Sequence, residues 1–181
     1  MVLFLLLYTV DLENYVRNTL SKENVTVIVN YIGNNPKRFA NLMELFFATE
    51  IQLTQRSAWV MSHCAHNNPQ LITPYLNKLI NNLFKPVSDA VKRNTLRILQ
   101  MIHIPEPLWG ETLELCFNYL ESNSETIAIR AFAMTVAYNI SQHVPEIKPE
   151  LKTLIEDIIV YGSPGLKSRG TKILKQLEKQ L

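Results

Sequence analysis

Four arginines recur along this chain at a nearly fixed interval: Arg56, Arg93, Arg130 and Arg169 are separated by 37, 37 and 39 residues. Each stands about a third of the way into a segment whose apolar residues follow helical spacing, and another such segment precedes it. A period of this length is that of one pair of helices. Such a pair cannot bury its apolar face alone, so successive pairs must stack. The interval therefore predicts an all-α fold, an α-α superhelix of about four helix pairs with an N-terminal helical cap.

Alignment on the arginines tests the repeat. Three residues before each stand Leu53, Ala90, Ile127 and Leu166; one residue after stand Ser57, Asn94, Ala131 and Gly170. Five after come Met61, Ile98, Thr135 and Leu174, and eight after come Cys64, Met101, Tyr138 and Leu177. At about 100° per residue these columns form one stripe with the arginine on its edge, and the small residues allow close helix approach. Arg97 breaks the column that elsewhere holds Val60, Met134 and Ile173. A long basic side chain can lie over apolar surface with its charged end in water.

Proline placement supplies helix starts. Pro36, Pro69, Pro86, Pro105, Pro107, Pro145 and Pro164 fall between the periodic segments, and Pro74 and Pro149 fit a first turn. Ser88, Ser124 and Ser163 offer capping oxygens, and Gly33 and Gly162 fit the left-handed residue that ends a helix. The reading is of about ten helices: one or two in 10–33, then 36–48, 51–66, 70–84, 88–103, 107–122, 125–142, 146–160 and 164–180. A single domain spanning 1–181 is expected, with 1–35 as cap and 36–66, 70–103, 107–142 and 146–180 as repeat units.

The stretches PYLNKLINNLFKPVSDAVKRNTLRIL and LELCFNYLESNSETIAIRAFAMTV resemble HEAT repeats, in which a Leu-rich helix is followed by a short turn and a helix opening on an apolar-x-Arg or apolar-Arg pattern. The resemblance covers roughly 36–180 and is greatest to small stand-alone bacterial HEAT-like proteins. It implies that the Arg-bearing second helices line a concave face. Where the family often carries an Asp six residues before the Arg, this chain has Glu50, Val87, Ser124 and Ser163, so its arginines must find backbone carbonyls or other acids.

The net charge of +2 gives no global argument for nucleic acid or membrane. Sorted by face, however, the second helices carry ten basic against three acidic side chains, whereas Glu106, Glu111, Glu114 and Glu121 make the first helix of the third unit acidic. Lys92, Arg93, Arg97, Lys172 and Lys175 are the candidate binding surface, with Trp59 as apolar anchor. The four repeat arginines have the competing role of bridging helices, and Lys172 and Lys175 that of complementing a helix C-terminus.

The remaining chemistry is sparse. Cys64 and Cys116 lack metal or disulfide spacing and are expected to be reduced and buried in a cytoplasmic protein. His63, His103 and His143 recur every 40 residues, with His66 beside the first. Relative to the arginines they drift around the helix, so helix-terminus histidines are expected in place of a metal site, and no cofactor. HEAT-like metal hydroxylases carry His-Glu pairs, which this chain lacks. Trp59 and Trp109 invite comparison with HEAT-like alkylpurine DNA glycosylases, whose aromatic and Asp pattern does not carry over: Asp89 is the one Asp on a repeat second helix, and it stands at a helix start. No glycine-rich phosphate loop, GxSxG or HExxH is present, nor the mobile-loop motif of the all-helical lyases. The apolar run from Val2 to Tyr8 is too short to span a membrane and lacks the features of a secretory signal. The function expected is thus a non-catalytic scaffold for a protein or peptide partner, acidic in character. Nucleic-acid binding on the same basic face is the alternative.

Overall fold

The computed structural model describes residues 11–18 and 21–180; the run from Val2 to Tyr8 lies outside them. Among the described residues the chain is all-helical, with ten α-helices and no strand. It divides into two compact units between Leu71 and Ile72.

The first unit holds α1 (Leu12–Arg17), α2 (Lys22–Ile32), α3 (Pro36–Phe46) and α4 (Ile51–Asn67), followed by a 3-10 turn at Pro69–Leu71. Asn35 starts α3 by accepting from the amides of Lys37 and Arg38 at 3.0 and 3.1 Å, with Pro36 in the first turn. Gly33 ends α2 with the positive φ of 52° that favours glycine, but its ψ of −127° is not that of the left-handed helical cap expected. Helices α1, α2 and α3 all pack on α4. Their shared core is Val16, Ile28, Ile32, Phe39, Leu42 and Phe46 against Val60 and Met61. At the chain's turn from α2 into α3, Arg38 donates to the Tyr31 carbonyl at 2.6 Å and lies 4.3 Å from the Tyr31 ring centre.

The second unit holds α5 (Leu76–Leu83), α6 (Asp89–Leu99), α7 (Trp109–Glu121), α8 (Ile127–Ser141), α9 (Lys148–Tyr161) and α10 (Pro164–Leu177). Helix α7 touches α5 and α9, while α8 touches α6 and α10, so first and second helices form two layers with an apolar seam between them. The seam is filled by Leu79, Ile80, Leu96, Ile98, Cys116, Leu120, Met134, Ala137, Leu151, Ile155 and Leu177.

Several sequence expectations shift in detail. Helices α5, α7 and α9 start later than the periodicity suggested, because 3-10 turns at Thr73–Tyr75, Glu106–Leu108 and Pro145–Ile147 precede them. Proline, which has no N–H to give, fits these short tight turns. Of the three serines expected to cap, only Ser163 does so, accepting from the Leu166 amide at 3.4 Å. The Ser88 hydroxyl is buried without a partner, and Ser124 pairs with Ser122 at 2.9 Å. Gly162 is extended at φ −67°, not left-handed; a Cβ there would meet the Ile158 carbonyl oxygen at 2.6 Å, and that close approach is what requires glycine. In the apolar stripe, Ile127 and Met101 prove to be 51% and 44% exposed. Ile127 is the first residue of α8, and Met101 lies beyond the end of α6, so neither lies within the buried span of its helix.

Candidate binding surface

The repeat arginines of the second unit divide into two kinds. Arg130, early in α8, sends Nη2 to the Leu120 carbonyl at 2.8 Å, at the end of α7 where helix carbonyls lack partners. Arg169, on α10, donates Nη1 to Thr135 Oγ1 on α8 at 2.9 Å. Both are half-buried, and in place of an Asp a carbonyl or hydroxyl of a neighbouring helix accepts from each. Arg93 is different: exposed on α6, it has no hydrogen bond or ion pair among the described residues. Arg56 belongs to the first unit, half-buried on α4.

Lys92 is engaged. Its ammonium pairs with Glu125, just ahead of α8, with side-chain exposures of only 19% and 11%, and it lies 5.4 Å from the centre of the Tyr119 ring. The Tyr119 hydroxyl in turn donates to the Leu83 carbonyl at 3.1 Å. Burial, then the charge of Glu125, pushes the Tyr119 hydroxyl pKa well above the ordinary tyrosine value. Lys92, Glu125 and Tyr119 therefore tie α6, the start of α8 and α7 together.

The cations left over are Arg93 and Arg97 on α6, and Lys167, Lys172 and Lys175 on α10, with Lys179 just beyond its end. None has a hydrogen-bond or ion-pair partner among the described residues; Arg97 is half-buried and the rest are exposed. Four of the five basic residues expected at the surface thus present charge without an ion-pair partner from the two helices that flank α8. The fifth, Lys92, is held against Glu125 behind them. Trp59 lies in the first unit, half-buried on α4, with its ring centre 6.4 Å from that of His63.

Other features differ in character. A cavity of about 230 Å³ on the first-helix side is lined by Arg130, Glu121, Asp157 and Tyr161, so its acids outnumber its base. Cys64 and Cys116 are free and buried; burial raises the Cys64 thiol to about 12 and the Cys116 thiol higher still. Asp89 is the first residue of α6, where its charge suits the helix N-terminus. Among the described residues no group of three or more His, Cys, Asp or Glu is arranged around a metal ion, and no helix is long and apolar enough to cross a membrane.

One repeating contact escaped the sequence reading. Asn68, after α4, donates to the Gly33 carbonyl after α2 at 3.0 Å; Asn139, on α8, donates to the Gln100 carbonyl after α6 at 3.0 Å; Gln180, after α10, donates to Gln142 Oε1 after α8 at 2.9 Å. Each amide binds the end of one second helix to the end of the preceding one. These amides stand 12, 9 and 11 residues after their arginines, so no fixed column reveals them.

A family model for the HEAT repeat domain matches residues 12–177. Searches of the curated proteins and of the solved structures found no match.

Proposed function

This chain belongs to the HEAT repeat domain family, and we propose that it is a non-catalytic binding module whose second unit receives an acidic segment of a protein partner on its second-helix face. Repeats of this family mediate protein interactions and scaffolding, through the long surfaces that stacked helices provide. The observation that carries the reading is the division of cations on that face. Arg130, Arg169 and Lys92 are consumed by contacts within the unit. Arg93, Arg97, Lys172 and Lys175 have no ion-pair partner among the described residues. Uncompensated cations on adjacent helices raise the local concentration of anions and cost nothing to unpair when a partner arrives. Trp59 is the candidate apolar anchor of the first unit, a residue type that concentrates binding energy where it is desolvated.

The non-catalytic reading is supported by the character of the same residues. Arginine guanidinium and lysine ammonium groups on a helical face can bind and orient, but they offer neither a nucleophile nor a base near neutral pH.

The test is fluorescence anisotropy of a labelled oligoglutamate peptide with the full chain, at about 50 and about 200 mM salt. Binding should weaken with salt, and should fall at least about tenfold in Arg93→Glu/Arg97→Glu and in Lys172→Glu/Lys175→Glu. Unchanged binding in both variants would remove the assignment. Labelled duplex DNA and structured RNA are the comparison probes. Tighter binding to either, with log affinity falling by roughly 0.9 per phosphate contact for each tenfold rise in salt, would move the same face to the nucleic-acid reading.

A further inference from the structure

On the first-helix side of the second unit, two cavities of about 230 and about 320 Å³ share Glu121, Leu154 and Asp157, and so make one groove between α7 and α9. Its lining is graded by depth. Leu120 and Ile158 are buried, Phe117 and Leu154 are half-buried, and Glu121, Glu150 and Asp157 are exposed. None of these three acids has an ion-pair partner among the described residues. Helix α7 carries no basic residue, and on α9 Lys152 pairs with Glu156 at 3.7 Å while Lys148 is buried. Arg130, the one base of the lining, donates to the Leu120 carbonyl at 2.8 Å and pairs with no acid among the described residues. At the end of α9 the lining includes Tyr161, which is 95% exposed.

We propose that this groove receives an extended basic segment of a partner protein, with lysine or arginine at positions i and i+3. Charge decides the class of occupant. A cleft lined by one sign of charge over low-dielectric walls focuses its field and draws in the opposite sign. The apolar residues then select among cations, because the alkyl stem of lysine or arginine packs on Phe117 and Leu154 while its charged end reaches the carboxylates. A bare metal ion gains nothing from such packing, and the three carboxylates are not gathered around one point. Tyr161 offers a ring face to a further cation, and a large side chain left this open suits an interaction surface. The spacing follows from α9. Glu150 and Asp157 stand seven residues apart on one side of that helix, about 10.5 Å along its axis. A chain in the polyproline II conformation, with three residues per turn and about 3.1 Å rise, presents residues i and i+3 on one side about 9.3 Å apart. The groove is apart from the basic second-helix face, and its assignment does not rest on that reading.

The probe is the labelled peptide Gly-Lys-Pro-Pro-Lys-Gly, titrated with the full chain at about 50 mM salt and followed by fluorescence anisotropy. Its dissociation constant should rise at least about tenfold in Glu121→Gln/Asp157→Asn and at least about threefold in Tyr161→Ala. All three residues are exposed, so these variants leave the core untouched. Glu111→Gln/Glu114→Gln removes as much charge from exposed positions of α7 outside the groove, and should change the constant by less than about twofold. Equal losses in the two charge-removing variants would show diffuse attraction and overturn the proposal, as would unchanged binding in Glu121→Gln/Asp157→Asn. Sedimentation of the chain alone identifies a second copy as occupant: self-association that Glu121→Gln/Asp157→Asn abolishes would give the groove to another molecule of the same chain and overturn the peptide assignment.

Discussion

Removing either partner of the Lys92–Glu125 pair should destabilise the second unit far more than removing any exposed cation of the proposed surface. At an effective dielectric near 20, two unit charges at about 4 Å attract by about 4 kcal/mol, and this is opposed by the cost of taking both from water. Side-chain exposures of 19% and 11% mean that this cost is already met in the folded state. Lys92→Met leaves the Glu125 carboxylate half-stranded and also loses the contact with the Tyr119 ring; a loss of about 3 kcal/mol is expected. Glu125→Gln keeps the shape and leaves Lys92 over the ring, and should cost about 2 kcal/mol. In a double-mutant cycle the coupling should be about 1.5–3 kcal/mol, and it should survive about 0.5 M salt because a buried pair is poorly screened. Urea unfolding of the full chain followed by circular dichroism measures all four corners. Coupling below about 0.5 kcal/mol, or coupling that salt abolishes, would show that Lys92 is a surface charge like its neighbours.

Two further outcomes follow from packing and burial. Gly170→Ala would bring a Cβ to 2.4 Å from Ile159 Cγ2 and 3.1 Å from Ile155 Cγ2, stiff branched methyls that cannot swing away. It should cost about 1–2 kcal/mol net of the helix propensity gained, whereas Gly110→Ala, with nothing within 4 Å, should be neutral or stabilising by up to about 1 kcal/mol; thermal unfolding of the two variants gives the opposite signs or refutes the close approach. For the cysteines, both folded thiols lie above their unfolded value of 9.0, so the stability they contribute is complete below pH 9 and is lost as the unfolded thiols ionise above it. Stability should therefore fall between about pH 9 and 11 by up to about 1.4 kcal/mol per pH unit for each thiol, and alkylation at pH 8 should be slow in native protein and rapid in urea.

The layered helical fold was legible because its cause is periodic. Stripes of Leu, Ile and Met at helical spacing, interrupted by proline, locate α3, α4, α6 and α8 nearly where they lie, since burying those stripes is the main favourable term. What escaped is what periodicity cannot encode. The inter-repeat amides Asn68, Asn139 and Gln180 act from different turns, because the second helices end at different distances from their arginines. The histidines appeared to drift only when counted on continuous helices; α6 ends at Leu99 and α8 at Ser141, and the loops beyond bring His103 and His143 side by side. The candidate surface was legible as a list of basic residues, but not in its division: nothing in the one-dimensional pattern sets Lys92 apart from Arg93, although one turns to Glu125 and the other to solvent.

That division is itself an argument about function. An arginine that binds a neighbouring helix offsets the cost of an unmet carbonyl, as Arg130 does at Leu120. Arg93 and Arg97 do nothing of the kind. Standing four residues apart on α6, they repel each other by some tenths of a kcal/mol, and Lys172 and Lys175 do the same on α10. The C-terminal dipoles of the two helices offset part of this for Arg97 and Lys175, which lie in last turns, but not for Arg93 and Lys172. Neither Arg93 nor Lys172 has an ion-pair partner or lies beside a helix C-terminus, and each is repelled by its basic neighbour. An anionic partner would relieve both repulsions at once, and this is why the proposed binding face is assigned to the unpaired members of the arginine and lysine set.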